Sequence, residues 1–306
     1  MPRWSVSAQT RLLVVAPHPD DETLGCGILI QQVLAAGGAV SVLLLTDGDN
    51  NPWPQRYIER RLPIDAAARR RWGARRRDEA SRAIAKLGLP VSALHALGWS
   101  DMGLTALLRD DLPRAISAMR AVMQSFEPNL ITCPDLGDSH PDHGAAHVLC
   151  RLALSGLDQQ SMLFAYPVHG HPDASAYPVR LDATPEQQQR KLQALAEHAT
   201  QMVLSAGRMR RLALSPERYM QVDAEADGQG LPWRPSVLLR PWLRLLIATP
   251  DGIQDVRWAD APMQRESDGY RFQASAGRSA NSPVFVKLHL DWPSPWIFDH
   301  WGWRAV

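Results

Sequence analysis

Cysteine is scarce in this chain: Cys26, Cys133 and Cys150 are the only three in 306 residues. Their number is odd and no C-x-x-C pair occurs. That argues against a disulfide framework or a structural zinc finger and suits a reducing compartment. Long apolar runs are missing as well. No stretch approaches the roughly 20 apolar residues of a membrane helix, and even 237–248 is cut by Arg240, Pro241 and Arg244. The opening Met1-Pro2-Arg3-Trp4 lacks a signal-peptide core, and the first apolar run, Leu12–Ala16, is only strand-length. A cytoplasmic protein is therefore expected. Neither charge sign is in excess: 33 Lys and Arg face 32 Asp and Glu, a net charge of +1. A global attraction to nucleic acid or membrane is not expected. Internal repeats and low-complexity segments are absent too. What is present is a globular composition, 45% hydrophobic and 21% charged. Its length suits one large domain, or one domain with an appendage.

Leu12–Ala16 and Val40–Leu45 are short, continuous and apolar, the mark of strands buried on both faces. Ala93–Leu97, Asn129–Cys133 and Met162–Ala165 are further candidates. Between them the pattern predicts helices over 23–36, 66–87 (with Asp65 as N-cap), 110–126 and 144–154. One more helical stretch covers 186–211. Strands alternating with helices predict an α/β fold, a Rossmann-like three-layer sandwich around a mostly parallel sheet. After Pro232 the texture changes: 237–246, 270–274, 284–290 and 297–303 read as short strands between Pro, Gly and Asp turns. We therefore expect a domain over 1–232 and a small β-rich C-terminal appendage over 233–306.

Two strings carry the chemistry. Pro17-His18-Pro19-Asp20-Asp21-Glu22 follows the first strand, and His140-Pro141-Asp142-His143 follows the strand at 129–133. In parallel sheets, ligands bind beyond the carboxyl ends of strands, so both strings fall where a site belongs. A hydrolytic zinc site needs three protein ligands, a base for water and a group to hold the developing oxyanion. His18, Asp21 and His143 make a two-His, one-carboxylate set. Adjacent Asp20 and Asp21 cannot both easily bind one ion; one as ligand and the other as base gives both a task. His140, if protonated, would donate to the oxyanion or to the leaving amine. Asp142 would fix the tautomer of a neighbouring imidazole.

Leu12–Glu22, Thr46-Asp47-Gly48, Arg76-x-x-Glu79 leading to Leu87-Gly88, and His140–His143 in this order resemble the PIG-L/LmbE family of zinc-dependent N-acetylglucosaminyl deacetylases. Lys191 with His198-Ala199-Thr200-Gln201 is similar to a later family segment, with Thr200 where Ser is usual. The resemblance spans about residues 10 to 220. It implies one zinc per chain held by His18, Asp21 and His143, Asp20 as general base, and His140 as the cationic stabiliser of the tetrahedral intermediate. Some members carry a Tyr donor where this chain has Asp138.

Other residues carry weaker signals. The family places an arginine near substrate, here Arg76, although Arg75 and Arg77 crowd the register. The wider 69–77 run reads as a solvated helix face; if functional, it favours an anionic sugar bearing phosphate or nucleotide. Asp47 is expected in the site wall, and Asp101 near sugar hydroxyls. His198 is expected to line the site through the family likeness. Asp49 reads as a turn cap, although Asp47-x-Asp49 also suits a metal-dependent sugar-nucleotide glycosyltransferase. His169 and His171 receive no role. Trp292, Trp296, Trp301 and Trp303 read as the core of a small β unit. The expected activity is removal of the N-acetyl group from an amino-sugar-containing small molecule, releasing acetate and a free amine. An amidase acting on a thiol-sugar conjugate or another acylated amine is the alternative. A homo-oligomer is compatible with the sequence.

Overall fold

The computed structural model describes residues 5–158, 160–169, 173–222, 230–273, 282–292 and 300–306. Arg11–Ala16 forms β1 and Ala39–Thr46 forms β2, paired in parallel with Leu12 opposite Val40. Leu94–Trp99 (β3) lies outside β2, and Leu130–Pro134 (β4) lies on the other side of β1, with Leu12 opposite Leu130. Met162–Tyr166 (β5) continues the parallel run beside β4. Val179–Arg180 (β6) and Arg218–Gln221 (β7) complete a seven-stranded sheet in the order β3-β2-β1-β4-β5-β7-β6. Only β7 runs against its neighbours.

Eight helices are described: Asp21–Ala35 (α1), Pro52–Glu59 (α2), Ala66–Lys86 (α3), Leu104–Asp110 (α4), Leu112–Phe126 (α5), Pro141–Leu154 (α6), Pro185–Glu197 (α7) and Ala199–Leu214 (α8). Because strand side chains alternate between faces, Leu13, Val15 and Ile131 enter one core with α4, α5 and α6. Leu12, Val14 and Ala16 enter another with α1, α3, α7 and α8.

Gly230–Leu231 (β8), Leu243–Thr249 (β9), Gly252–Arg257 (β10), Met263–Glu266 (β11), Gly269–Phe272 (β12), Phe285–Leu290 (β13) and Arg304–Ala305 (β14) form two further sheets, β10-β9-β13-β14 and β11-β12-β8. The first is built into the stack. Leu246 and Ala248 of β9, with Phe285 and Trp303, join the core of α4–α6, while Leu243, Leu245 and Ile247 face the small sheet. The expectation for the tryptophans holds for Trp301, which packs in the core of the C-terminal sheets; Trp303 is buried instead in the core shared with α4–α6, Trp292 is exposed, and Trp296 lies outside the described residues.

Several boundaries differ from the sequence reading. The stretch at 186–211 is two helices, α7 and α8, parted at His198. The helix at 110–126 is preceded by α4, with Asp111 between. Residues 237–242 form a 3₁₀ turn containing Pro241, and the strand begins only at Leu243. Of the strand expected at 297–303, residues 297–299 lie outside those described and 300–303 are not strand; β14 begins only at Arg304. Asp65 caps α3 as expected, its Oδ1 accepting from the Ala68 N–H at 2.7 Å.

Gly25 lets α1 approach β5. A Cβ at Gly25 would lie 2.5 Å from Tyr166 Cε2, and that ring is anchored because its hydroxyl donates to the Val15 carbonyl at 2.8 Å. Alanine in a helix usually stabilises by about 0.5–1 kcal/mol over glycine. Here overpacking reverses the sign: Gly25→Ala should cost about 1–3 kcal/mol. The check is a lower denaturant midpoint at unchanged slope.

Candidate active site

β1 and β4 are neighbours at the point where the strand order reverses, β2 and β3 lying to one side and β5 to the other. A crevice opens at such a point beyond the carboxyl ends of the strands. His18 and Asp20 stand in the turn after β1, and Asp21 begins α1. The second string opens a helix, with His140 as N-cap and Pro141 first in α6, so His143 stands on its first turn.

The first turn is strained. Asp20 has φ 120, a conformation an L-residue holds only when its surroundings impose it. The constraints are visible. The Asp20 N–H donates to Glu22 Oε2 at 3.0 Å, and Glu22 Oε1 lies 3.0 Å from His198 Nε2. Arg76 donates to the Pro19 carbonyl at 2.7 Å and to the Gly48 carbonyl at 2.8 Å, and its guanidinium lies 3.4 Å from Asp20 Oδ2. Arg76 thus braces the turn and also lines the crevice. His198 is fully buried against Glu22 and is not among the residues lining that crevice.

Three donor atoms converge. Asp21 Oδ2 lies 3.2 Å from His18 Nδ1 and 3.2 Å from His143 Nε2. Both His143 nitrogens are buried and make no hydrogen bond, although a carboxylate oxygen stands within 3.2 Å of each. Tetrahedral zinc with ligands at about 2.0–2.2 Å sets its ligand atoms about 3.4 Å apart. The spacing, the donor types and the orphaned imidazole nitrogen all fit a metal ion. Among the described residues, three overlapping groups could hold one: His18, His140 and His143; Asp21, His143 and His169; His18, Asp101 and Asp142.

Carboxylates back both imidazoles. Asp142 Oδ2 and Asp101 Oδ1 each lie 3.2 Å from His18 Nε2. Asp142 is itself held by the Met102 and Leu104 N–H groups at 2.7 and 3.0 Å. Asp101 therefore stands against His18 as well as in the crevice wall. Asp138 Oδ2 lies 3.1 Å from His143 Nδ1 and accepts from the His169 N–H at 2.9 Å. It is buried as a partner of the imidazole.

These surroundings shape the titration. Burial disfavours the His143 cation, but the Asp21 and Asp138 carboxylates outweigh it and push the pKa up to about 10. His18 is likewise held well above the ordinary imidazole value, burial being overcome chiefly by Asp101. Burial raises Asp20 to about 7 against the pull of Arg76, with adjacent Asp21 adding to the rise. His140 is driven down to about 2 by burial and by the neighbouring imidazoles. Its Nδ1 accepts from the Asp142 N–H at 3.2 Å, so the neutral ring carries its hydrogen on Nε2. The family resemblance implies a cationic His140, whereas its surroundings here favour the neutral ring.

The crevice has a volume of about 470 Å³, and its walls include Trp53, Met102, His140, His169, Arg208 and Leu212. Asp47 is not among the lining residues; its Oδ2 pairs with Arg77 at 3.2 Å. Asp49 Oδ1 accepts from the Asp101 N–H at 3.0 Å, a turn role. His169 went unassigned from sequence, yet its ring centroid lies 4.8 Å from that of His143. A lone loop histidine gives no local signal; its partners Asp138 and Arg208 are 31 and 39 residues away. His171 lies outside the described residues.

Fold and site together define an α/β protein with a candidate metal centre at the carboxyl edge of its parallel sheet. Residues 13–154 match the family model described as PIG-L, GlcNAc-PI de-N-acetylase. It is 32% identical over 173 residues to the 1D-myo-inositol 2-acetamido-2-deoxy-alpha-D-glucopyranoside deacetylase of Mycobacterium sp. (strain KMS), covering 52% of this chain and 54% of that protein. The chain thus spans about half the length of the curated relatives it matches. Among solved structures it resembles the N,N'-diacetylchitobiose deacetylase of Pyrococcus horikoshii, with TM-score 0.54 and 19% identity over 69% of this chain and 83% of that one. A conserved protein of Thermus thermophilus gives TM-score 0.53 and 24% identity over 74% of this chain and all of the other. At these identities the likeness is one of fold. Among the described residues no helix is long and apolar enough to cross a membrane.

Proposed function

We propose that this chain is a zinc-dependent de-N-acetylase acting on the acetamido group of an amino-sugar-containing molecule. The observation that carries the reading is the approach of His18 Nδ1 and His143 Nε2 to one oxygen of Asp21, each at 3.2 Å, beside a buried carboxylate raised to about 7. The relatives named as deacetylases of a 2-acetamido sugar support the substrate class. His18, Asp21 and His143 would hold the zinc, which would supply Lewis acidity toward water and the amide carbonyl. Asp20 accepts the proton of the attacking water and returns it to the leaving nitrogen as the C–N bond breaks. His140 Nε2–H holds the oxyanion. Asp101 and Asp142 fix His18, and Asp138 fixes His143. Asp47 and Asp49 are engaged with Arg77 and the Asp101 N–H, which removes the support for a glycosyltransferase. We place the activity in the cytoplasm and the domain boundary near residue 232. The test is mass spectrometry of the zinc-loaded protein with N-acetylated sugars, sugar nucleotides and glycoconjugates: loss of acetyl from at least one supports the reading, and no loss from any contradicts it.

Metal affinity should depend on pH. His143, at about 10, and His18, raised well above its usual value, are protonated at neutral pH without metal. Binding must displace those protons. Zinc affinity therefore rises with pH between 6 and 8, by about tenfold per unit for each proton released. Titration calorimetry in buffers of different ionisation enthalpy measures the proton count, and an affinity flat with pH would refute the ligand set.

A further inference from the structure

We infer that His169 is a second oxyanion donor of this site, acting beside His140 and locked into its donor tautomer by Arg208. The inference rests on the de-N-acetylase reading and adds a residue to it. Its ring lies in the crevice wall with His18 and His140, its centroid 4.8 Å from that of His143 and 5.4 Å from that of His140. A ring nitrogen of His169 lies within 4.8 Å of the donor atoms of Asp21 and His143. By position alone it would pass for a fourth ligand.

Hydrogen bonding decides otherwise. Arg208 Nη2 lies 2.7 Å from His169 Nδ1. A guanidinium only donates, so Nδ1 accepts, and the neutral ring carries its hydrogen on Nε2. An N–H has no lone pair for a metal. His140 is in the same state for an independent reason, because the Asp142 N–H donates to its Nδ1 at 3.2 Å. Two imidazoles from different segments, each with Nδ1 capped by a group that can only donate, therefore line one crevice with the hydrogen on Nε2. Their placement is linked to the ligands. Asp138 Oδ2 accepts from the Val168 and His169 N–H groups at 3.1 and 2.9 Å and lies 3.1 Å from His143 Nδ1. One buried carboxylate thus sets a proposed metal ligand and a proposed donor in register.

The chemistry requires no transfer by His169. As water adds to the amide carbon, the carbonyl π pair moves onto oxygen, and the two Nε2–H groups share that charge by hydrogen bonding. The proton of the water goes to Asp20 and then to the leaving nitrogen; His169 keeps its own.

The test uses the full-length zinc-loaded protein. His169→Ala should lower kcat on an N-acetylated amino sugar by about 100-fold or more, as loss of one oxyanion donor does elsewhere, with KM within threefold and zinc content unchanged. His169→Gln, which restores an N–H donor, should recover at least tenfold of that loss. Independently of activity, the ring ¹⁵N shifts of His169 should report a neutral imidazole with hydrogen on Nε2 in the wild type, and should change in Arg208→Met. A His169→Ala enzyme within threefold of wild type overturns the inference, as does zinc loss in that variant or a cationic or Nδ1–H ring. A zinc-filled wild type that hydrolyses no N-acetylated sugar overturns the parent reading, and the inference with it; an active wild type with an indifferent His169→Ala overturns the inference alone.

Discussion

Replacing Asp20 with Asn should lower kcat on an N-acetylated amino sugar by about 10²–10⁴-fold, the range a positioned general base contributes, while zinc stays bound. The substitution isolates the proton transfer. Asn matches Asp in size and is enriched at positive φ, so the strained turn at φ 120 can be retained. The backbone bonds that hold it, from the Asp20 N–H to Glu22 and from Arg76 to the Pro19 carbonyl, do not involve the Asp20 side chain. What disappears is a buried carboxylate raised to about 7, a basicity suited to work at neutral pH. Steady-state kinetics with metal analysis reads the result. A variant within tenfold of wild type at full zinc occupancy would remove Asp20 from the base role.

The largest expected loss of stability lies beneath the site. Lys191 is fully buried, and its Nζ lies 2.7 Å from Glu217 Oε1 and donates to the Leu24 carbonyl at 2.8 Å. Glu217 accepts from the Ile28 and Leu29 N–H groups at 2.7 and 3.0 Å, and the Tyr219 hydroxyl donates to the Gly25 carbonyl at 2.8 Å. Side chains therefore serve four backbone groups inside α1, the helix whose first turn carries Asp21. Glu217→Ala leaves the ammonium without its counter-charge and should cost about 3–5 kcal/mol. The double variant Lys191→Met/Glu217→Gln removes both charges and should cost less than the single change. Denaturant unfolding of the variants measures both, and a cost below about 1 kcal/mol for Glu217→Ala would show that the pair is not stranded by the change.

Much of this arrangement is legible in the chain because it is local. Strands buried on both faces are continuous apolar runs, so β1, β2 and β4 stand out, and the strings after β1 and β4 meet because those strands pair. Caps are local too, as Asp65 demonstrates. The rest depends on partners distant in sequence. His169 gains its place only through Asp138 and Arg208, and Lys191 only through Glu217, 26 residues on. Asp101 reads as a crevice residue from its loop, but its place against His18 has no local signal. The break at His198 has no local signal because both flanking segments have helical texture, and the partner of His198, Glu22, is distant in the chain. The C-terminal sheet read as an appendage because alternation along β9 does not say that its second face meets α4–α6.

The central claim is that His18, Asp21 and His143 hold one metal ion. Anomalous diffraction from crystals of the zinc-loaded protein, recorded on both sides of the zinc absorption edge, tests it most directly. The account predicts a single zinc peak per chain, at about 2.0–2.2 Å from His18 Nδ1, Asp21 Oδ2 and His143 Nε2. A peak elsewhere, at Asp47 and Asp49 for example, or none at these three atoms, would contradict it.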